Sequence, residues 1–252
     1  MLNGVVALTR DVLIVEDIHK VYDDGTYAVR GVSFKVREGE IYGLIGPNGA
    51  GKTTTLRIIT GLIKPTRGRV LIDDYDIHRE LYKARRLISY LPEDADVYER
   101  LTGLEHIRFY AKLYGVENID ETIEYAVKLC GLSIEKLNEK AGNYSKGMKR
   151  RLLLALTLMR KPRLTLLDEP TSGLDVQAAV RVRDMIKKYV RESGSSIVIS
   201  SHNMLEVMYL CDRVGIIYNG SIIVEDTPAN ILARFNASNL EEAFIKIIEE
   251  SG

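Results

Sequence analysis

Tryptophan is missing from this chain, cysteine occurs only twice, and glutamine occurs once, at Gln177. The two thiols, Cys130 and Cys211, lie far apart and have no metal-ligand spacing, so the expectation is a pair of buried, reduced cysteines in a cytosolic protein. No apolar run approaches the roughly 20 residues of a membrane-crossing helix. The longest candidates, such as residues 152–159, stop far short. A basic N-terminal stretch leading into a long apolar core is also lacking, which predicts no secretion signal. Neither charge sign is in excess: 35 Lys and Arg balance 35 Asp and Glu. That balance argues against a nucleic-acid binder held by phosphate electrostatics. The chain's 252 residues can bury one sizeable core, or a core with a small inserted subdomain.

What is present reads as α/β. Residues 12–22 and 28–36 form an expected antiparallel pair around Asp23-Asp24-Gly25, with Val32, Phe34 and Val36 alternating against Ser33 and Lys35. Residues 41–45, 69–72, 87–91, 164–167 and 196–200 are further strand candidates, and the continuous apolar runs suit a parallel sheet covered on both faces. Residues 52–60 and 146–160 read as helices, the first followed by Gly61 and the second halted at Lys161-Pro162. Asn219-Gly220 between two apolar runs predicts a hairpin over 214–224. Asn203-x-x-Glu206 and Ser238-x-x-Glu241 each predict a capping pair at a helix start. The expected division is a loose extension over 1–10, a core with antiparallel strands over 11–93 and 150–236, a helical subdomain over 94–149, and an amphipathic helix over 237–252.

Gly46-Pro47-Asn48-Gly49-Ala50-Gly51-Lys52-Thr53 matches G-x-x-x-x-G-K-[ST] between a strand and a helix. Small residues let successive backbone N–H groups point at phosphates, and the helix start adds its positive dipole end. Lys52 reaches the β/γ-phosphates, the Thr53 hydroxyl takes a place on Mg²⁺, and Thr54 sits beside them. Asp168 and Glu169 place two carboxylates at the end of the apolar strand 164–167. Adjacent acids there can divide metal binding from general-base work. A guanine-specifying Asn-Lys-x-Asp is absent, which disfavours a GTPase.

The stretch from Tyr144-Ser145-Lys146-Gly147-Met148 to Leu167-Asp168-Glu169-Pro170-Thr171-Ser172-Gly173-Leu174-Asp175 resembles the ATP-binding subunits of ABC transporters, and the likeness extends over nearly the whole chain. The resemblance implies a P-loop NTPase (RecA-like) core with an antiparallel β-subdomain and an inserted α-helical subdomain. It implies that ATP and Mg²⁺ bind, with Asp168 holding the metal through its water shell and Glu169 as general base. Ser145 would cap its helix and, with Gly147, face the γ-phosphate bound by another subunit. Asp175 closes the loop that crosses the dimer interface, His202 matches the switch histidine, and Tyr22 matches the aromatic that stacks on adenine. Other rivals are a soluble ABC-type ATPase outside transport and a P-loop phosphotransferase.

Two departures stand out. Tyr90-Leu91-Pro92-Glu93 puts Glu93 where the family usually carries a metal-contacting glutamine, making Glu93 a metal-ligand and catalytic candidate. Lys146 and Met148 replace a glycine and a glutamine of the signature turn. Both departures, together with Arg100-Leu101-Thr102-Gly103-Leu104-Glu105, resemble the branch serving export-type permeases. The resemblance further implies a peripheral subunit on the cytoplasmic face of the cell membrane. It would dimerise with itself or a paralogue and contact a separate permease through Tyr98 and residues 94–105.

Overall fold

The structure, a computed structural model, describes residues 10–251, so the expected extension over residues 1–10 lies almost wholly outside the described residues. Two sheets organise the chain. The larger takes its strands in the order β10-β9-β3-β8-β7-β6. These are β3 (Ile41–Ile45), β6 (Ile88–Leu91), β7 (Leu164–Asp168), β8 (Ser196–Ser201), β9 (Arg213–Tyr218) and β10 (Ser221–Asp226). All neighbours in this sheet run parallel except the β9–β10 hairpin. The smaller sheet, ordered β2-β1-β4-β5, is antiparallel: β1 (Asp11–Val21), β2 (Tyr27–Arg37), β4 (Arg67–Ile72) and β5 (Tyr75–Asp76).

Apolar residues on alternate sides of the parallel strands feed two separate cores. Ile41, Ile45, Leu167, Ile197 and Ile199 join the core on one face. Tyr42, Leu44, Leu164, Leu166 and Val198 join the core on the other, with α1 (Lys52–Ile59) and the small sheet. The uninterrupted apolar runs are therefore required by burial on both faces. Each such Leu or Ile contributes about 1.5–3 kcal/mol by leaving water.

The first core also receives the helices α3 (Gly103–Leu113), α4 (Ile119–Cys130), α5 (Ile134–Leu137) and α6 (Lys146–Leu158). Capping explains where they begin. Thr102 and Glu105 make a reciprocal capping box on α3, so the run that resembles the export branch also has this local work. Asn118 caps α4, Ser133 caps α5 and Ser145 caps α6. After β7 comes α7 (Val176–Ser193), capped by Asp175 and ended by Gly194 in the left-handed region. Cys130 and Cys211 are both free and buried, and burial pushes the Cys130 thiol up to about 11.

Several local expectations shift. Helix α2 (Leu81–Leu87) occupies a stretch where no helix was expected, and the strand expected over 87–91 starts at Ile88. Short β5 and helix α9 (Pro228–Arg234), which follows Thr227 with proline in its first turn, also lay outside the expectations. In the last helix, α10 (Leu240–Ser251), the cap is displaced by one residue. Asn239 Oδ1 takes the Glu242 N–H at 2.9 Å, and Glu242 in turn accepts from the Ser238 N–H at 2.8 Å. The expected pair was Ser238 and Glu241. The next acidic residue along the chain meets the geometry because Leu240 and Ile247 must turn inward.

Leu166 is fully buried in the interior strand β7. Leu166→Ala is expected to cost about 2–5 kcal/mol in urea unfolding. Tyr82→Ala, at a ring 87% exposed, should change stability by no more than about 0.5 kcal/mol. Equal effects of the two substitutions would contradict this placement of the core.

Candidate functional site

The chain leaves the C-terminal end of β3 at Gly46 and loops into α1. Backbone crowding explains the glycines. A Cβ at Gly46 would lie 2.1 Å from the Ile217 carbonyl oxygen, and one at Gly51 would lie 2.5 Å from that of Ala28. Gly51 also has a φ of 103°, where side chains are strained. The Gly220 N–H donates to the Ala50 carbonyl at 3.1 Å, and the Arg30 N–H donates to the Gly220 carbonyl at 2.7 Å. The loop is thus braced by the Asn219-Gly220 turn, whose two residues both have positive φ. No side chain caps α1, so its leading N–H groups are left for a ligand.

Lys52 is buried and folds back over this loop. Its Nζ donates to the Gly46 carbonyl at 2.8 Å and to the Pro47 carbonyl at 3.2 Å. It also lies 3.5 Å from Glu169 Oε1. Tyr22, just past β1, approaches the next turn: its hydroxyl is 3.3 Å from Thr54 Oγ1 while the ring remains partly open to solvent.

Two carboxylates stand at the end of β7, and they are held differently. Asp168 is 1% exposed. Thr53 Oγ1 donates to its Oδ1 at 3.3 Å, Tyr90 Oη to its Oδ2 at 3.3 Å, and Ser200 Oγ makes a short bond to Oδ1. Burial and the neighbouring Asp168 carboxylate push the Tyr90 phenol well up, so it remains a proton donor. Glu169 turns away through a φ of 45°, with its N–H bonded to the Ser200 carbonyl at 3.1 Å. Its Oε1 lies 2.9 Å from His202 Nδ1, yet no donor satisfies that buried oxygen with hydrogen-bond geometry. The His202 N–H donates to Oε2 at 3.4 Å.

Glu93 sits in the loop after β6 and lines the same small cleft as Gly49, Lys52, Thr53, Thr54 and Glu169. Its Oε1 accepts from Ser172 Oγ at 3.0 Å. The Arg150 guanidinium grips the same loop through the Glu93 carbonyl at 3.0 Å. Ser145 and Asp175 do not line this cleft. Each caps its own helix: Ser145 accepts from the Met148 N–H at 3.3 Å and Asp175 from the Ala178 N–H at 2.8 Å. Gly147 is buried because a Cβ there would meet Ala178 Cβ at 2.6 Å, so its close approach is to α7 within the chain.

The residues that sequence reasoning missed are hydroxyls and one acid near the strand ends: Tyr90, Ser200 and Ser201 on strands, Thr171 in the turn after β7, and the inward side of Glu206 on the helix after β8. Their one visible signal was the Ser200-Ser201 pair where an apolar strand meets His202. As a set, the donors fit a nucleotide's phosphates. Free helix-start N–H groups and a buried lysine converge at the carboxyl edge of a parallel sheet, beside a carboxylate oxygen free to accept a proton.

Such a fold and site define a P-loop nucleotide-binding ATPase. The sequence profile described as "ABC transporter" matches residues 29–172. The linearmycin resistance ATP-binding protein LnrL of Bacillus subtilis is 36% identical over 245 residues, covering 95% of this chain and 76% of that protein. The uncharacterized ABC transporter ATP-binding protein YhcH of the same organism is 41% identical, covering 79% and 65%. ABC transporter A family member 4 of Arabidopsis thaliana is 37% identical over 238 residues, but this chain spans only 25% of its length. Among solved structures, an ATP-binding subunit of an ABC transporter superposes with a TM-score of 0.82 at 30% identity, covering 94% of this chain and 99% of that one. A post-hydrolysis dimer of the ATP-binding cassette MJ0796 with ADP and Pi gives 0.76 at 27% identity, covering 85% and 98%. The chain belongs to the ABC transporter family. It is an ATP-binding, ATP-hydrolysing subunit of that family.

Gly51→Ala forces a Cβ against the Ala28 carbonyl, a strain of about 1–3 kcal/mol on the phosphate loop. ATP affinity should therefore fall about 10–100-fold at 1.4 kcal/mol per tenfold. Titration with a fluorescent ATP analogue reads this; an unchanged Kd would contradict the role assigned to the loop.

Proposed function

We propose that this chain is the peripheral ATPase of an export-type ABC transporter, working on the cytoplasmic face of the membrane beside a separate permease. Among the described residues no helix is long and apolar enough to cross a membrane. The observation carrying the chemical reading is the buried Glu169 oxygen without a hydrogen-bond donor, placed between Lys52 and His202 beside the phosphate loop.

Glu169 acts as general base, taking the proton of the attacking water, a contribution worth about 10²–10⁴-fold in rate. His202, half exposed beside it, orients that water. Lys52 leaves the Gly46 and Pro47 carbonyls to meet the phosphates, and Tyr22 offers its ring to the adenine. Thr53, Asp168 and Glu93 are the residues that would hold Mg²⁺. The ion, when bound, would supply neutralisation of phosphate charge. Glu93 keeps one oxygen for the task, since its other accepts from Ser172.

The cleft around Lys52 and Glu169 measures only about 150 Å³. Enclosing small-molecule sites run to about 300–1,000 Å³. A nucleotide therefore lies on an open face, and a second surface completes its enclosure. Ser145, Gly147 and Asp175 supply that surface to a partner subunit's nucleotide, either of this chain or of a paralogue. The dimeric cassette structure and the resistance function named for the Bacillus relative support the dimer and export readings respectively. Tyr98, 57% exposed and stacked on His106, forms with Phe109 an aromatic patch for the permease.

Glu169→Gln should lower ATP turnover at least about 100-fold while leaving an ATP-bound dimer on gel filtration. Turnover at the wild-type rate would remove Glu169 from the mechanism. Separately, Glu93→Gln should raise the Mg²⁺ concentration for half-maximal activity several-fold, by about 1 kcal/mol of lost ligand charge. An unchanged Mg²⁺ titration would remove Glu93 from the metal site.

A further inference from the structure

Glu206 was expected to close a capping pair with Asn203 at the start of α8 (Met204–Leu210). Only half of that pair exists. Asn203 Oδ1 accepts the Leu205 and Glu206 N–H groups at 3.0 and 3.2 Å, but the Asn203 N–H goes to Ser201 Oγ at 3.0 Å. The Glu206 carboxylate turns inward instead and is 1% exposed. Its Oε1 accepts from Thr171 Oγ1 at 2.8 Å, and its Oε2 accepts from Ser201 Oγ at 2.7 Å. It forms no ion pair among the described residues. Burial pushes its carboxyl above the ordinary range, with the Glu169 charge adding and the two hydroxyls opposing. A buried carboxylate without a cation is costly, and capping alone needs no such group.

Its two partners stand at informative positions. Thr171 follows Glu169 by two residues, in the turn closed by the Ser172 N–H on the Glu169 carbonyl at 3.1 Å. Ser201 immediately precedes His202. One carboxylate thus joins the segments that carry Glu169 and His202, and it does so beneath a Glu169 whose positive φ persists only if its surroundings hold it. We propose that Glu206 is a positioning residue: a buried strut that fixes the Glu169–His202 pair by holding Thr171 and Ser201. This rests on Glu169 and His202 acting in hydrolysis as described above.

The test uses the full chain, with ATPase kinetics, ATP affinity and thermal unfolding measured for Glu206→Ala, Glu206→Gln, Thr171→Val and Ser201→Ala. Glu206→Ala should lower kcat at least about tenfold while the Kd and KM for ATP stay within about twofold, because the phosphate loop is untouched. Glu206→Gln, which keeps one acceptor and the side-chain shape, should recover part of the rate. Adding Glu206→Ala to His202→Ala should cost less than about twofold more, since both remove one unit. A folded Glu206→Ala with wild-type kcat overturns the proposal, as does a kcat loss no larger than the accompanying rise in KM. Additivity with His202→Ala overturns it too. If Glu206→Ala does not fold, Thr171→Val and Ser201→Ala decide: a lowered kcat at unchanged KM in either supports the strut, and wild-type kcat in both overturns it. An active Glu169→Gln would instead overturn the underlying reading. An inactive Glu169→Gln beside a fully active Glu206→Ala would overturn the strut alone.

Discussion

Asp168 is the group around which the rest is arranged. It is a carboxyl group almost wholly withdrawn from solvent, with no ion-pair partner among the described residues. Transfer of such a group from water is unfavourable unless hydrogen bonds replace the lost hydration. Three hydroxyls do so, and each comes from a different element: Thr53 on α1, Tyr90 on β6 and Ser200 on β8. The requirement fixes strand register. β7 and β8 must pair Asp168 with Ser200, and β6 must bring Tyr90 opposite Leu166. A one-residue slip would take the Tyr90 and Ser200 hydroxyls away from Asp168 and turn the buried faces over.

The sheet is therefore layered along the strand direction. Below Asp168 the strands are apolar on both faces, and the two cores they feed supply the burial that holds the sheet together. Above it the backbone is strained or crowded. Glu169 has positive φ, Gly46 abuts the Ile217 carbonyl, and Gly51 abuts that of Ala28. Strain of about 1–3 kcal/mol at such a residue survives only where the surroundings over-determine it. Here the surroundings are the hairpin turn at Asn219-Gly220, the Ser200 backbone and the buried hydroxyl pairs. The polar edge depends on the burial that the apolar layer supplies, and the strands of that layer share their register with the hydroxyl contacts on Asp168.

Legibility in the sequence followed the range of the interactions. The phosphate loop, the hairpin turn and the parallel strands were readable because each is encoded within a dozen consecutive residues by glycine placement or apolar runs. The hydroxyl ring on Asp168 was not. Serine, threonine and tyrosine are common, and nothing local says that Thr53, Tyr90 and Ser200 meet. Glu206 shows the same limit from the other side. Its spacing from Asn203 suits a cap, yet two tertiary hydroxyls take its carboxylate away from the cap. At Ser238 the local pattern offered two registers, and packing of Leu240 selected the one beginning at Asn239. Helix α2 escaped notice because Lys83, Arg85 and Arg86 obscure its short buried face, which centres on Ala84.

The segment from Glu169 to Asp175 connects what would otherwise be two separate surfaces. It is internally bonded, with the Ser172 N–H on the Glu169 carbonyl and the Leu174 N–H on the Thr171 carbonyl. At one end Thr171 reaches Glu206 and, through Ser201, the backbone of His202. In the middle Ser172 holds Glu93, whose loop Arg150 ties to α6. At the far end Asp175 starts α7, whose Ala178 presses on Gly147, so the two capped helix starts form one unit. Interdigitated packing of this kind does not deform gradually. A displacement at Ser145 or Asp175 must either be absorbed by the Gly147–Ala178 contact or carried to Glu93 and Glu169. The exposed helix starts at Ser145 and Asp175 are thus joined to Glu93 and Glu169 by one continuous chain of packed and hydrogen-bonded contacts.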